Sequence, residues 1–216
     1  MSTTLHDPTP VTIRPAGLKG LLGVPEHAQG IVVFAHGSGS GRLSPRNNHV
    51  AHGLRQAGLA TLLIDLLTPL EEEDRAKVFD IALLASRLIS ATQWVKAQPG
   101  TGALPIGYFG ASTGAGAAFL AASEGDDRVK AVVSRGGRPD LAGASALARV
   151  RAQALLIVGG RDVPVIDLNR AALRHLSGDS ELVIVPGAGH LFEEPGTLDQ
   201  VISHARRWFL EYLRED

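Results

Sequence analysis

The chain has 216 residues, of which 44% are hydrophobic and 20% charged, and its formal net charge is −1. That balance excludes extensive disorder, a basic nucleic-acid-binding face and an apolar stretch of membrane-spanning length. Cysteine is absent, so disulfides, thiolate metal sites and a cysteine nucleophile are excluded as well. The opening segment Met1 to Pro8 has neither the basic nor the apolar region of an export signal, and a cytoplasmic location is expected. Nothing in the middle of the chain reads as a linker, and one domain over 1–216 is expected.

In chain order, β-rich runs alternate with helical patterns. Strands are predicted near 11–14, 18–24, 31–35, 60–64, 106–109, 129–133, 154–158 and 182–185. The first two form an antiparallel hairpin. The others are separated by helices near 45–57, 77–97, 113–123, 165–177 and 197–213, which is the pattern of a mostly parallel sheet covered on both faces. The last helix places Leu198, Val201, Ile202, Ala205, Trp208, Phe209 and Tyr212 on one stripe. The acidic run Glu71 to Asp74 reads as a solvated loop or helix start. Between the sixth and seventh strands, Ser134 to Gln153 leaves room for one short helix and not for a lid.

Ligands bind an open α/β sheet at the carboxyl ends of its strands, so chemistry is sought where strands end. After the fifth strand comes Gly110-Ala111-Ser112-Thr113-Gly114, followed at once by a small-residue helix. With 25 glycines and 13 serines in the chain, a G-x-S-x-G pentapeptide arises by accident roughly 0.2 times. The strand before it and the helix after it make it a candidate nucleophile elbow, in which Gly110 and Gly114 relieve backbone crowding and the Thr113 N–H points at a developing oxyanion.

Two further strand ends supply partners. Asp162 follows the seventh strand and its Gly159-Gly160-Arg161 turn, and His190 follows the eighth strand and Pro186-Gly187-Ala188-Gly189. The order serine, acid, histidine is that of the nucleophile-elbow hydrolases. His190 would move the Ser112 proton, while Asp162 would hold the imidazole tautomer. Asp140, after Pro139, is a rival acid that also reads as a helix start. A second oxyanion donor is expected from Ala35-His36-Gly37-Ser38-Gly39, with Ser38 offering its backbone N–H and His36 bracing the loop.

These motifs resemble the α/β-hydrolase superfamily, and within it the small, lidless dienelactone-hydrolase-like branch. The resemblance covers nearly the whole chain and rests on 34–38, 110–114, 159–162 and 187–190. It implies an eight-stranded, mostly parallel sheet flanked by helices, without a large lid domain. It also implies a serine hydrolase that cleaves small carboxylic esters through an acyl-enzyme, with Ser112, His190 and Asp162 as catalytic residues. A small-molecule ester is the expected partner, and no cofactor or metal is expected. Dienelactone hydrolase proper uses a cysteine nucleophile where this chain has Ser112, so ester hydrolysis is expected in place of dienelactone cleavage. Lactonases, thioesterases and acyltransferases use the same triad, and a non-catalytic binding protein can use the same fold.

Arginines crowd the same edge: Arg42 and Arg46 in the glycine-rich loop, Arg135 and Arg138 after the sixth strand, and Arg161 beside the acid. Guanidinium matches carboxylate and phosphate geometry, and Arg42, Arg46, Arg135 and Arg138 are candidates to hold an anionic group of the substrate. A dinucleotide-binding reading of Gly37 to Gly41, with Asp65 on a ribose, fails on spacing. The third glycine position falls on Arg42 or Ser44, and Pro45 lies where the capping helix would begin.

Overall fold

The computed structural model describes residues 7–214; Met1 to His6, most of the segment read for an export signal, lie outside the described residues. Eight strands form one sheet in the order β1-β2-β4-β3-β5-β6-β7-β8. The strands β1 (Thr9–Ile13) and β2 (Leu18–Gly23) make the expected antiparallel hairpin, and β2 also runs antiparallel to β4 (Ala60–Ile64). All remaining pairs are parallel and join β3 (Ile31–Ala35), β4, β5 (Ile106–Ala111), β6 (Val129–Arg135), β7 (Gln153–Gly159) and β8 (Ser180–Val185).

The central strands are buried on both faces, and their side chains divide with period two. Ile31, Val33 and Ala35 of β3 point into one core, against α4 (Ile81–Lys96) and α5 (Thr113–Ala122). Val32 and Phe34 point into the other, against α1 (Pro45–Gln56) and α8 (Thr197–Tyr212). Chain order reverses at β3: β4 lies on one side of it and β5 on the other. A crevice opens at such a switch point beyond the carboxyl ends of the strands, and here those ends are His36 to Gly41 and the Ser112 turn.

The strands β5, β6 and β7 each run further toward the carboxyl edge than their apolar runs indicate. Ala111 pairs with Arg135 and Arg135 with Ile157, because parallel neighbours supply ladder partners that glycine, serine and arginine do not advertise locally. The helix expected over 77–97 is α4, with the end of α3 (Arg75–Val78) before it, and the short α2 (Pro69–Glu72) precedes both. Side-chain caps divide them. Thr68 and Glu71 form a capping box, Asp74 accepts the Ala76 N–H and Asp80 accepts the Leu83 N–H. The acidic run therefore marks helix starts, and Glu71 further pairs with Arg87. Where one short helix was expected before β7, there is a 3-10 turn (Pro139–Ala142) and then α6 (Ala144–Leu147). The helix expected over 165–177 is α7 (Val163–Leu173), which starts earlier because Asp162 and Val163-Pro164 form its N-terminus.

On α8 the apolar stripe buries Val201, Ala205, Trp208 and Phe209. A Cβ on Gly107 would lie 2.5 Å from the Phe209 ring, so this strand is glycine where the helix docks. Phe209 is 0% exposed. Phe209→Ala is expected to destabilise the fold by about 3–5 kcal/mol, seen as a lower urea midpoint with the slope retained.

Candidate active site

The carboxyl ends of the central strands surround a cleft of about 800 Å³ whose lining includes Ser112, His190, Arg135 and the loop from His36 to Arg46. Leu67, Val78 and Leu84 form an apolar part of its wall, contributed by the segment from β4 through α4.

Ser112 stands between β5 and α5 with φ 50° and ψ −123°. This left-handed conformation costs a non-glycine residue about 1–3 kcal/mol and persists only where the surroundings enforce it. Here they do. The Ser112 N–H donates to the Arg135 carbonyl (3.3 Å), and the Ser112 carbonyl accepts from the N–H groups of Arg138 (3.0 Å) and Ala115 (3.1 Å). A Cβ on Gly110 would lie 2.5 Å from Ala115 Cα, and one on Gly114 would overlap the carbonyl oxygen of Ala35. The turn lifts the hydroxyl toward the cleft and leaves the Thr113 N–H, at the start of α5, without a partner among the described residues.

Asp162 and His190 meet across the ends of β7 and β8. Asp162 Oδ2 lies 2.6 Å from His190 Nδ1, and Asp162 makes no side-chain bond to its own helix start. An imidazole that donates Nδ1–H to the carboxylate keeps Nε2 as its acceptor. Asp140 is elsewhere. It accepts from Arg138 Nε (2.9 Å) and Nη2 (2.7 Å) within the 3-10 turn.

Three braces hold the loops. The Arg161 N–H donates to the Ala188 carbonyl at 2.9 Å and the Gly160 N–H to that of Val185 at 2.8 Å. Glu194 accepts the Gly189 N–H at 3.0 Å and pairs with Arg161, and the Gly189 bond foremost holds its carboxyl below the usual range. His36 is buried with both nitrogens occupied. Its Nε2 accepts the Leu66 N–H (2.9 Å), which leaves Nδ1 to donate to the Gly37 carbonyl (2.9 Å). That is the bracing role expected of His36. Gly37 packs so closely that a Cβ there would stand 2.9 Å from Ser112 Cβ. The Ser38 N–H, expected to face an oxyanion directly, donates instead to Thr113 Oγ1 at 3.1 Å, because that hydroxyl rises from the first turn of α5 beside it.

The expected arginine cluster divides. Arg42 is held by Asp65 through its backbone N–H (2.7 Å) and its guanidinium. Arg138 is neutralised by Asp140 and does not line the cleft, which corrects its expected place beside substrate. Arg46 Nη1 donates to Glu193 at 2.8 Å. Arg135 lines the cleft, is 8% exposed and makes no side-chain hydrogen bond to any described residue. Burial, with the Arg46 charge adding to it, lowers its pKa to about 10, so it is a cation at neutral pH. Glu194 and the Asp65 brace escape a sequence reading, since both act by contacts between distant loops. Among the described residues no group of three or more His, Asp or Glu side chains is arranged to hold a metal, and no helix is long and apolar enough to cross a membrane.

The dienelactone hydrolase family model matches residues 18–208. The chain belongs to this family. A dienelactone hydrolase structure from Anabaena variabilis shares 56% identity over 99% of this chain and 100% of its own, with a TM-score of 0.92. Est1E from Butyrivibrio proteoclasticus, at 15% identity, shares the fold with a TM-score of 0.80 over 95% of this chain and 98% of its own. A protein of Mycobacterium tuberculosis whose assigned name proposes phosphoribosyl transfer is 61% identical over 94% of this chain. This dienelactone-hydrolase-family chain spans 46% of that relative, about half its length.

The elbow geometry leaves no space for a side chain on Gly114. Gly114→Ala is expected to lower stability by at least about 3 kcal/mol in urea unfolding, and to abolish labelling of Ser112 by a fluorophosphonate at temperatures where the variant is still folded.

Proposed function

We propose that the protein hydrolyses small carboxylic esters with Ser112 as nucleophile, His190 as general base and then acid, and Asp162 as the group that orients the imidazole. The observation that carries this reading is the 2.6 Å His190 Nδ1 to Asp162 contact in a cleft shared with a serine on a positive-φ turn. As Ser112 Oγ attacks the ester carbonyl, its proton passes to His190 Nε2. Asp162 stabilises the imidazolium without taking that proton. The carbonyl oxygen becomes an oxyanion facing the Thr113 N–H. The Ser38 N–H joins it when the Thr113 hydroxyl turns aside, and each such donor contributes about 3 kcal/mol. His190 then returns the proton to the departing alcohol, leaving Ser112 acylated. Water repeats the sequence on the acyl-enzyme and releases the acid.

Leu67, Val78 and Leu84 offer the acyl chain an apolar wall. Phosphoribosyl transfer belongs to the name of a relative about twice as long; the cleft of this chain is built around Ser112 and His190, and hydrolysis is the activity their chemistry favours.

Fluorophosphonate labelling combined with hydrolysis of short p-nitrophenyl esters tests the reading. Labelling is expected in the wild type and not in Ser112→Ala. Both His190→Ala and Asp162→Ala are expected to lower kcat by about 10³-fold or more, and Asp140→Ala by less than about tenfold. A folded wild type that neither labels nor turns over would remove the hydrolase assignment.

A further inference from the structure

Asn169 is 0% exposed on α7, about two helical turns beyond Asp162, the residue at the start of that helix. An asparagine is costly there, because its Oδ1 is enclosed and has no partner among the described residues. The amide nitrogen is where the side chain is used. Its two N–H groups donate to the carbonyl oxygens of Val165 at 2.8 Å and Gly137 at 2.9 Å. Both partners only accept, so turning the amide over would set oxygen against oxygen, and the orientation is fixed.

The Val165 bond stays within α7, whereas the Gly137 bond leaves the helix for the loop that follows β6. The Gly137 carbonyl and the Arg138 N–H belong to one peptide unit, and that N–H donates to the Ser112 carbonyl at 3.0 Å. The Ser112 carbonyl and the Thr113 N–H belong in turn to another peptide unit. A continuous line of donors and acceptors therefore runs from the Asn169 amide, through two peptide units, to the N–H proposed to face the oxyanion. A donor at the carbonyl of a peptide unit makes the N–H of that unit a stronger donor, by about 10–30% per bond.

The loop has other anchors for its place. The Gly136 N–H donates to the Ile157 carbonyl at 2.7 Å and the Leu141 N–H to the Arg138 carbonyl at 3.1 Å. A Cβ on Gly137 would stand 2.5 Å from that of Ala115, so this peptide is already pressed against the first turn of α5. What Asn169 adds to these anchors is polarisation along the line. We infer that Asn169 is a positioning residue for the oxyanion site, orienting and polarising the Gly137–Arg138 and Ser112–Thr113 peptide units so that the Thr113 N–H donates more strongly to the developing charge. The inference rests on the ester-hydrolase reading for the chemistry at Thr113, and on the bonds among residues 169, 137, 138 and 112 for the line itself.

Two variants grade the donor. Asn169→Leu keeps the approximate volume and removes both N–H groups; in Asn169→Asp the buried carboxyl stays neutral and offers a single O–H to two carbonyls. An oxyanion donor is worth about 10²–10³ in kcat, and Asn169 tunes a fraction of one. On short p-nitrophenyl esters, kcat is therefore expected to fall about two- to fivefold in Asn169→Leu and by less in Asn169→Asp, with KM within about twofold of the wild type. Thr92→Val, which removes a buried hydroxyl bonded to Tyr108 in the core beneath α4, is expected to lower the melting temperature and leave kcat unchanged.

Nuclear magnetic resonance reads the line without turnover, since an amide 15N resonance moves downfield when the carbonyl of its own peptide unit accepts a hydrogen bond. In the free protein, the 15N resonances of Arg138 and Thr113 are expected to move upfield in Asn169→Leu. The shift is expected to be smaller at Thr113, one bond further along, and both shifts smaller in Asn169→Asp. A Thr113 resonance that stays in place in a folded Asn169→Leu would overturn the inference. Wild-type kcat in that variant, or a loss carried by KM, would overturn it too while leaving the hydrolase reading intact. Should Asn169→Leu fail to fold, Asn169→Asp decides by the same two readouts. Failure of the wild type to label at Ser112 or to hydrolyse esters would instead count against the hydrolase reading, and the resonances would still decide the line.

Discussion

The left-handed turn at Ser112 is the constraint around which the rest of this edge is arranged. A serine does not hold φ 50° by preference. It is held because its N–H is tied to β6, its carbonyl accepts two N–H groups and two glycines let β3 and α5 close in on either side. The same packing that raises the conformational energy of one residue fixes the direction of its hydroxyl and the N–H behind it, which has no partner among the described residues. Pre-organisation of this kind needs a rigid scaffold, and the fully buried strands β3 and β5, with β6 buried except at Lys130, supply one.

Loops carry the remaining groups, and loops are ordinarily the mobile part of a fold. Here each is stitched to a neighbour. His36 joins the β3 loop to the end of β4, Asp65 fastens Arg42 across the cleft mouth, and Glu194 with Arg161 holds the His190 loop against the Asp162 turn. Close contacts at Gly159, where a Cβ would stand 2.5 Å from the carbonyl oxygens of Ala188 and Gly189, do the same without charge. The 2.6 Å His190 to Asp162 contact is a product of these braces as much as of the two residues that make it.

Charge at this edge is arranged in two ways. Paired arginines brace loops, where partial exposure makes each pair modest in energy. Arg135 is different because its burial leaves the cation with no protein counter-charge among the described residues.

Much of this was legible in the chain. Eight strands, the antiparallel hairpin and the parallel remainder follow from apolar runs and their spacing, and Ser112, Asp162 and His190 were picked out by standing at strand ends in a known order. The break between α3 and α4 was less legible, since periodicity continues across Asp80 while the break is made by its side chain capping α4. Of the four arginines expected to meet substrate, the sequence could name the group but not sort it. Arg42 and Arg138 are neutralised, one by a residue 23 positions away and one by a residue two positions on. The Ser38 N–H was expected to be free and is instead held by Thr113 Oγ1, 75 positions away in the chain. Local pattern determined the elements and the order of the chemistry-bearing residues, because periodicity and turn chemistry act over a few residues. Only the tertiary structure decided which acid meets the imidazole, which N–H groups are taken and which arginine is left without a partner, because those outcomes depend on atoms brought together from distant parts of the chain.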